Sequence, residues 1–249
     1  MTEDLPILYS FRRCPYAMRG RMAIAVSGTP MRLREILLRD KPEEMLEVSP
    51  KGTVPVVVIG DKVIDESIDV MHWALEHNDP ERWLKVKDTD GLIEENDGPF
   101  KHHLDRYKYS TRYEGADAEE HRAEGFKFLQ KLERQLEDAS ILRDTSILHR
   151  EGGRSLRREG RRIDAPQDEG VQWETGYLYG NARSLADIAI FPFVRQFRIA
   201  DMEWFDSAPI PRVQRWLIAL MESALFKSVM KKYPLWKDTG EEIDFCKKR

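Results

Sequence analysis

Up to Pro80 the hydrophobic period of this chain alternates between two and about 3.6 residues, and beyond Pro80 only the helical value persists. Strands and helices bury their apolar faces at these different spacings. The switch therefore confines the chain to an α/β unit followed by an all-helical one. Residues 5–10 form an apolar strand-like run. Residues 15–27 place Ala17, Met18, Met22, Ala25 and Val26 at helical intervals, with Pro15 in the first helical position and Gly28 as the stop. Residues 31–37 read as a second strand and 41–46 as a short helix opened by proline. Residues 54–59 and 62–65 make a hairpin about Gly60-Asp61, and 66–77 a helix closed by Asn78-Asp79-Pro80. The order is βαβ, helix, ββα.

In the second half, residues 118–142 carry Phe126, Leu129, Leu132 and Leu136 on one helical face. Ser184 and Asp187 form a capping-box pattern ahead of Ile188, Ala189, Ile190 and Phe191, although Asp is shorter than the usual Glu. Residues 211–221 and 225–230 complete the helical set, with Trp216 expected in the core. Residues 143–180 are rich in Arg, Glu and Gly and keep no period, which reads as a long loop or insertion. Acids are interspersed among its arginines, so a solvated loop is favoured over a nucleic-acid contact. The expected division is 1–78 for the α/β unit, 79–89 for a linker and 90–249 for the helical unit, with the irregular insertion near 143–180. No strand is expected after Pro80.

A chain of 249 residues buries an adequate core, and no apolar run approaches the roughly 18 residues of a bilayer span. A net charge of −4 with 34% charged residues describes an ordinary solvated surface, without a general case for nucleic acid or membrane binding. The two cysteines, Cys14 and Cys246, cannot make a disulfide framework. Met1-Thr2-Glu3-Asp4 is acidic where a signal peptide is basic, so a reducing cytoplasm is the expected compartment.

Cys14 stands between the first strand and the first helix, in Phe11-Arg12-Arg13-Cys14-Pro15-Tyr16-Ala17. Unpaired N–H groups at a helix N-terminus favour thiolate over thiol, and any of Arg12, Arg13, Arg19 or Arg21 that faces the sulfur lowers its pKa further. A lone cysteine is ordinarily a buried, inert one; Cys-Pro at this junction favours a working thiol instead. Ala17 stands where a second cysteine would complete a Cys-X-X-Cys pair, which leaves a monothiol. Cys246 is expected to be a free, exposed thiol near the terminus. His102 and His103 are adjacent, point to different helix faces and have no further ligands at metal spacing, so no metal is expected.

Taken in order, Cys14-Pro15-Tyr16-Ala17, Lys41-Pro42, Val54-Pro55 and Glu66-Ser67 resemble the cytosolic glutathione transferases, and among them cysteine-type members such as the omega class. Ser184-Leu185-Ala186-Asp187-Ile188-Ala189 resembles the capping motif of their helical domain; residues 143–180 match nothing in the pattern. The resemblance implies a thioredoxin-like N-terminal domain, a helical C-terminal domain and a homodimer. It also implies glutathione as cosubstrate in the cleft, with Cys14 as a nucleophile that becomes glutathionylated. Phe11, Lys41, Val54, Pro55, Glu66 and Ser67 would then hold glutathione, with Val54-Pro55 cis, and Tyr16, Phe100, Tyr107 and Tyr109 would line an acceptor pocket. The residues alone also admit a trans proline at a strand start, an ordinary capping pair at Glu66-Ser67, a solvated Lys41 and a Tyr16 that merely packs on the second domain. Two other functions remain open on this reading: a non-catalytic protein-binding module that uses the Arg-rich insertion, and a glutathione-dependent peroxidase or dehalogenase that uses the same thiol.

Overall fold

The computed structural model describes residues 5–150 and 176–246, with side chains described for 5–139 and 176–246. Strand β1 (Ile7–Ser10) leads into α1 (Pro15–Ser27), which Gly28 ends in the left-handed conformation at φ 69°, and β2 (Met31–Glu35) returns parallel to β1. Helix α2 (Glu43–Val48) connects to the hairpin β3 (Val56–Ile59) and β4 (Lys62–Ile64), and α3 (Ser67–His77) follows. The sheet order is β4-β3-β1-β2-β5, with every pair except β1–β2 antiparallel. Side chains alternate across it as the pleat requires. Leu8 and Val57 enter the main core beneath α1 and α3, whereas Tyr9 and Val56 pack with Ile36, Met45 and Val54 on the face toward α2.

The outer strand β5 (Ile243–Phe245) corrects the expectation that strands end with the hairpin. It pairs with β2 in antiparallel register, Met31 opposite Phe245 and Leu33 opposite Ile243, and Arg34 bonds Glu242 beside it at 2.6 Å. Cys246, just past β5, is half-buried against the core rather than exposed, and burial pushes its thiol pKa to about 12.

Helix α4 (Leu92–Glu95) continues through a π-turn (Asn96–Phe100) into α5 (Lys101–Lys108), and the long α6 (Ala118–Arg150) packs along α5. Residues 143–150, expected as loop, continue α6; the rest of the expected insertion up to 175 lies outside the described residues. Phe128, Leu129, Leu132 and Leu136 of α6 are buried, whereas Phe126 is only half-buried. Helix α7 (Leu185–Ala200) starts at a complete capping box. Ser184 Oγ accepts from the Asp187 N–H, and the Asp187 carboxylate accepts from the Ser184 N–H at 2.9 Å, so the shorter acid does close the reciprocal bond. The same carboxylate takes the Leu178 N–H and the Trp216 indole N–H, which fixes α7 against α9 (Pro211–Glu222) and puts Trp216 in the core as expected. Helices α8 (Met202–Ser207), α10 (Ala224–Val229) and α11 (Trp236–Thr239) complete the described α-helices. Helix α1 packs against α3, α7 and α10, which brings the junction at Cys14 to the seam between the sheet and the helices.

Candidate functional site

Cys14 is the N-cap residue of α1, extended at φ −76° and ψ 123°, and Pro15 begins the helix proper. Phe11 O accepts from the Cys14 N–H, and Cys14 O accepts from the Met18 N–H, so the backbone on both sides of the sulfur is held. The thiol reaches the Val54 carbonyl across the cleft at 3.7 Å, and the Val54–Pro55 bond is cis. A sulfur at this distance donates only weakly.

Electrostatics at the sulfur run against the expectation of a resting thiolate. Burial pushes the Cys14 pKa up, and this outweighs the N–H groups of Ala17 and Tyr16 at the helix N-terminus and the charges of Lys101 and Arg19, all of which pull it down. A dry environment penalises the ion more than a short helix end and two cations repay it. Among the arginines near Cys14 in sequence, Arg19 contributes to this pull; Arg21 is buried against Glu35 at 3.2 Å, and the Arg12 N–H bonds that same carboxylate at 2.7 Å. Arg13 lies over the Phe11 ring at 5.6 Å.

Arg19 is fully buried and joins four elements. Its Nε donates to the Ala189 carbonyl of α7 at 2.6 Å, and its Nη atoms donate to Asp97 of the π-turn at 2.8 and 2.5 Å. Its Nη1 also donates to Ser67 Oγ of α3 at 3.3 Å. Lys101, one helix position beyond the π-turn, pairs with Asp105 and lies 5.8 Å from the Tyr16 ring. Asp97 and Lys101 carry no motif; only their spacing of four residues, which stacks them on one helical face, hints that they act together.

The remaining expected residues divide. Ser67 is buried and turned inward to Arg19, while Glu66, the N-cap of α3, is exposed and bonded to Lys51 at 2.6 Å, which also holds Asp65. Lys41 is half-buried along Gly52. Tyr16 packs edge-on against Phe193 of α7 with ring centroids 4.8 Å apart; burial, with the Asp97 charge, holds its hydroxyl protonated up to about 12. Phe100, the last residue of the π-turn, is 2% exposed and packed between Phe128 and Phe197, at 4.7 and 5.6 Å, in the helical core. Tyr107 packs on Phe197 at 4.9 Å, and Tyr109, at the end of α5, accepts from Gln196 at 3.3 Å. His102 and His103 of α5 do have a third histidine beside them, His121 of α6, which sequence spacing could not show.

Residues 8–83 match the family model for the glutathione S-transferase N-terminal domain, and residues 115–219 match that for its C-terminal domain. A probable glutathione transferase of Aplysia californica is 33% identical over 92 residues, 37% of this chain and 97% of that protein. Pyrimidodiazepine synthase of Drosophila melanogaster is 36% identical over 85 residues, and the matched part spans 35% of that protein, about a third of its length. Among solved structures, glutathione transferase Omega 3C from Trametes versicolor superposes with a TM-score of 0.65 at 17% identity, covering 94% of this chain and 87% of that one, a likeness of fold. Sheet order, cis Val54–Pro55, the capped α7 and these matches over both halves agree, and the chain belongs to the glutathione S-transferase family.

Proposed function

We propose that this chain is a glutathione-dependent thiol transferase in which Cys14 is the nucleophile. The observation that carries the reading is the position of the Cys14 sulfur, on the N-terminus of α1 and facing the backbone carbonyl of Val54 across the cleft. Val54 precedes β3, outside the paired register of the sheet, so its main-chain groups can pair with an extended tripeptide backbone. Glutathione at Val54 competes for the carbonyl that the Cys14 thiol now uses, and so frees the sulfur at the moment its partner sulfur arrives. Ser67 and Glu66 at the start of α3, with Lys41 and Phe11, supply the remaining contacts, and Pro55 shapes the turn.

The cycle consumes one free glutathione thiol, because the other glutathionyl group arrives in the substrate disulfide. Cys14 thiolate attacks the glutathionyl sulfur of a mixed disulfide; the Cys14–glutathione S–S bond forms, the substrate S–S bond breaks, and the leaving thiolate takes a proton. A second glutathione, as thiolate, attacks the adduct. Glutathione disulfide leaves and Cys14 is restored, so the substrate disulfide is reduced and glutathione oxidised. Ala17 offers no internal thiol, which makes the second glutathione obligatory. The N–H groups of Tyr16 and Ala17, with Lys101 and Arg19, stabilise the thiolate when it forms and when it leaves. In the same reading residues 1–78 hold glutathione, residues 90–249 hold the acceptor beside Tyr16, Tyr107 and Tyr109, and the active form is a cytoplasmic homodimer.

Glutathione-dependent reduction of a small mixed disulfide tests this. Wild type should turn over, and Cys14→Ser should fall to the uncatalysed background while still binding glutathione. A serine variant with wild-type turnover removes Cys14 from the chemistry. No turnover and no glutathione binding in wild type leaves the protein-binding module as the better description.

A further inference from the structure

We infer that His102, His103 and His121 form a binding site for a divalent transition-metal cation, separate from the Cys14 cleft. One ligand atom from each histidine lies within 4.8 Å of the other two. The site is made by tertiary packing: His102 and His103 lie on α5, and the antiparallel start of α6 brings His121 against both. Ring centroids stand 5.0 Å apart for His102–His103, 5.1 Å for His103–His121 and 5.9 Å for His102–His121.

The closest pair is nearly at chelating distance. Nδ1 of His103 and Nδ1 of His121 are 2.8 Å apart, sharing one hydrogen. Tetrahedral zinc with Zn–N bonds near 2.05 Å spaces two ligand nitrogens by about 3.3 Å. Moving the shared hydrogen to the Nε2 of its own ring exposes both Nδ1 lone pairs with no change of net charge; the nitrogens then part by a fraction of an ångström and each ring tilts to aim its lone pair at the shared ion. His102 is exposed and can swing to complete the set. Arg106 donates to His102 Nδ1 at 3.0 Å, and its guanidinium also lies 4.5 Å over the Tyr113 ring, which keeps a place for it once a metal takes the histidine.

Three imidazoles suit zinc, copper or nickel rather than calcium or magnesium, which need oxygen ligands. Three protein ligands leave the fourth position of a tetrahedral ion to water or to an external donor. Glu124, one turn along α6 from His121 and anchored by Lys127 at 2.6 Å, interacts electrostatically with His103 and His121. Its carboxylate can accept the outward N–H of a ligating ring, the usual support for a metal-bound histidine.

Zinc is the probe. The full chain, untagged and stripped with a chelator, is dialysed against zinc chloride, and long-range proton–nitrogen spectra follow the imidazole nitrogens. One equivalent should bind, moving the nitrogens of His102, His103 and His121 together. His121→Ala and, separately, His103→Ala should weaken binding at least tenfold while keeping the wild-type circular dichroism. Cys14→Ser should bind as wild type does. Failure of wild type to retain zinc at micromolar free metal overturns the site, as does undiminished binding in either folded histidine variant, or binding that disappears with Cys14→Ser.

Discussion

Cys14 stands at the N-terminus of α1, yet burial raises the pKa of its thiol. Its place at a strand-to-helix junction is written in Ser10-Phe11-Arg12-Arg13-Cys14-Pro15, and the structure puts it at the N-cap of α1. Its charge state is not written there. The helix N-terminus that suggests a thiolate is real, but burial outweighs it, and that burial involves a cluster of Tyr9, Met45, Val54 and Val56 that the sheet and α2 bring to the sulfur. Lys101, which pulls the pKa down, stands 87 residues further along the sequence than Cys14, so no local pattern announces it. The sign of the pH dependence follows. A raised thiol pKa leaves Cys14 protonated at neutral pH, and thiolate accumulates only as pH rises past the ordinary thiol value of about 8.5. Alkylation of Cys14 by iodoacetamide, followed by mass spectrometry of its peptide, should therefore accelerate with pH to a midpoint above that value. Lys101→Gln, by removing a cation that favours the ion, should shift the midpoint higher still. A midpoint below the free value, or one indifferent to Lys101, contradicts this account of the sulfur.

Elements with a repeated period are legible in the sequence, and elements made by long-range pairing are not. Helix α1 matches its expected ends because Pro15 and Gly28 punctuate an apolar run. Strand β5 has three residues and no period; it is a strand because β2 offers an edge and Arg32 and Arg34 meet Asp244 and Glu242 there. The expected face of α6 holds at Leu129, Leu132 and Leu136, with Phe128 also buried and Phe126 half-buried against Trp204. Gly125 of α6 lies against the Phe197 ring of α7. A Cβ there would stand 2.7 Å from Phe197 Cε2, and Phe197 is itself wedged among Phe100, Tyr107 and Trp204. Helix propensity alone favours alanine over glycine by about 1 kcal/mol. Overpacking a closed core costs about 1–3 kcal/mol, and with Phe197 wedged the cost falls in the upper part of that range, so Gly125→Ala should destabilise the protein by up to about 2 kcal/mol net. Urea unfolding measures it; a midpoint equal to or above that of wild type would mean that α7 yields without cost.

At the scale of the molecule, the fully buried Arg19 ties helices of the N-terminal unit to those of the C-terminal unit. Arg19 ties α1 to the π-turn through Asp97, to α3 through Ser67 and to α7 through the Ala189 carbonyl, and its guanidinium lies 4.4 Å over the Phe193 ring. The partners are unequal in one respect that decides what their removal does. Arg19 is 0% exposed at its side chain, whereas Asp97 is 30% exposed and has a second donor in Asn96 at 2.8 Å. Removing Asp97 strands a charge that water cannot reach; removing Arg19 leaves a carboxylate that water can. A buried ion deprived of its partner typically costs about 3–5 kcal/mol, and a hydrophobic replacement of similar length largely avoids that penalty. Asp97→Ala should therefore destabilise by about 3 kcal/mol, at the lower end because Asp97 is partly solvated, and Arg19→Met by clearly less despite its greater number of lost bonds. The order of the two urea midpoints is the test. If Arg19→Met proves the more damaging, the guanidinium holds the two halves together through its neutral partners, Ser67 and Ala189, and the charge pair is secondary.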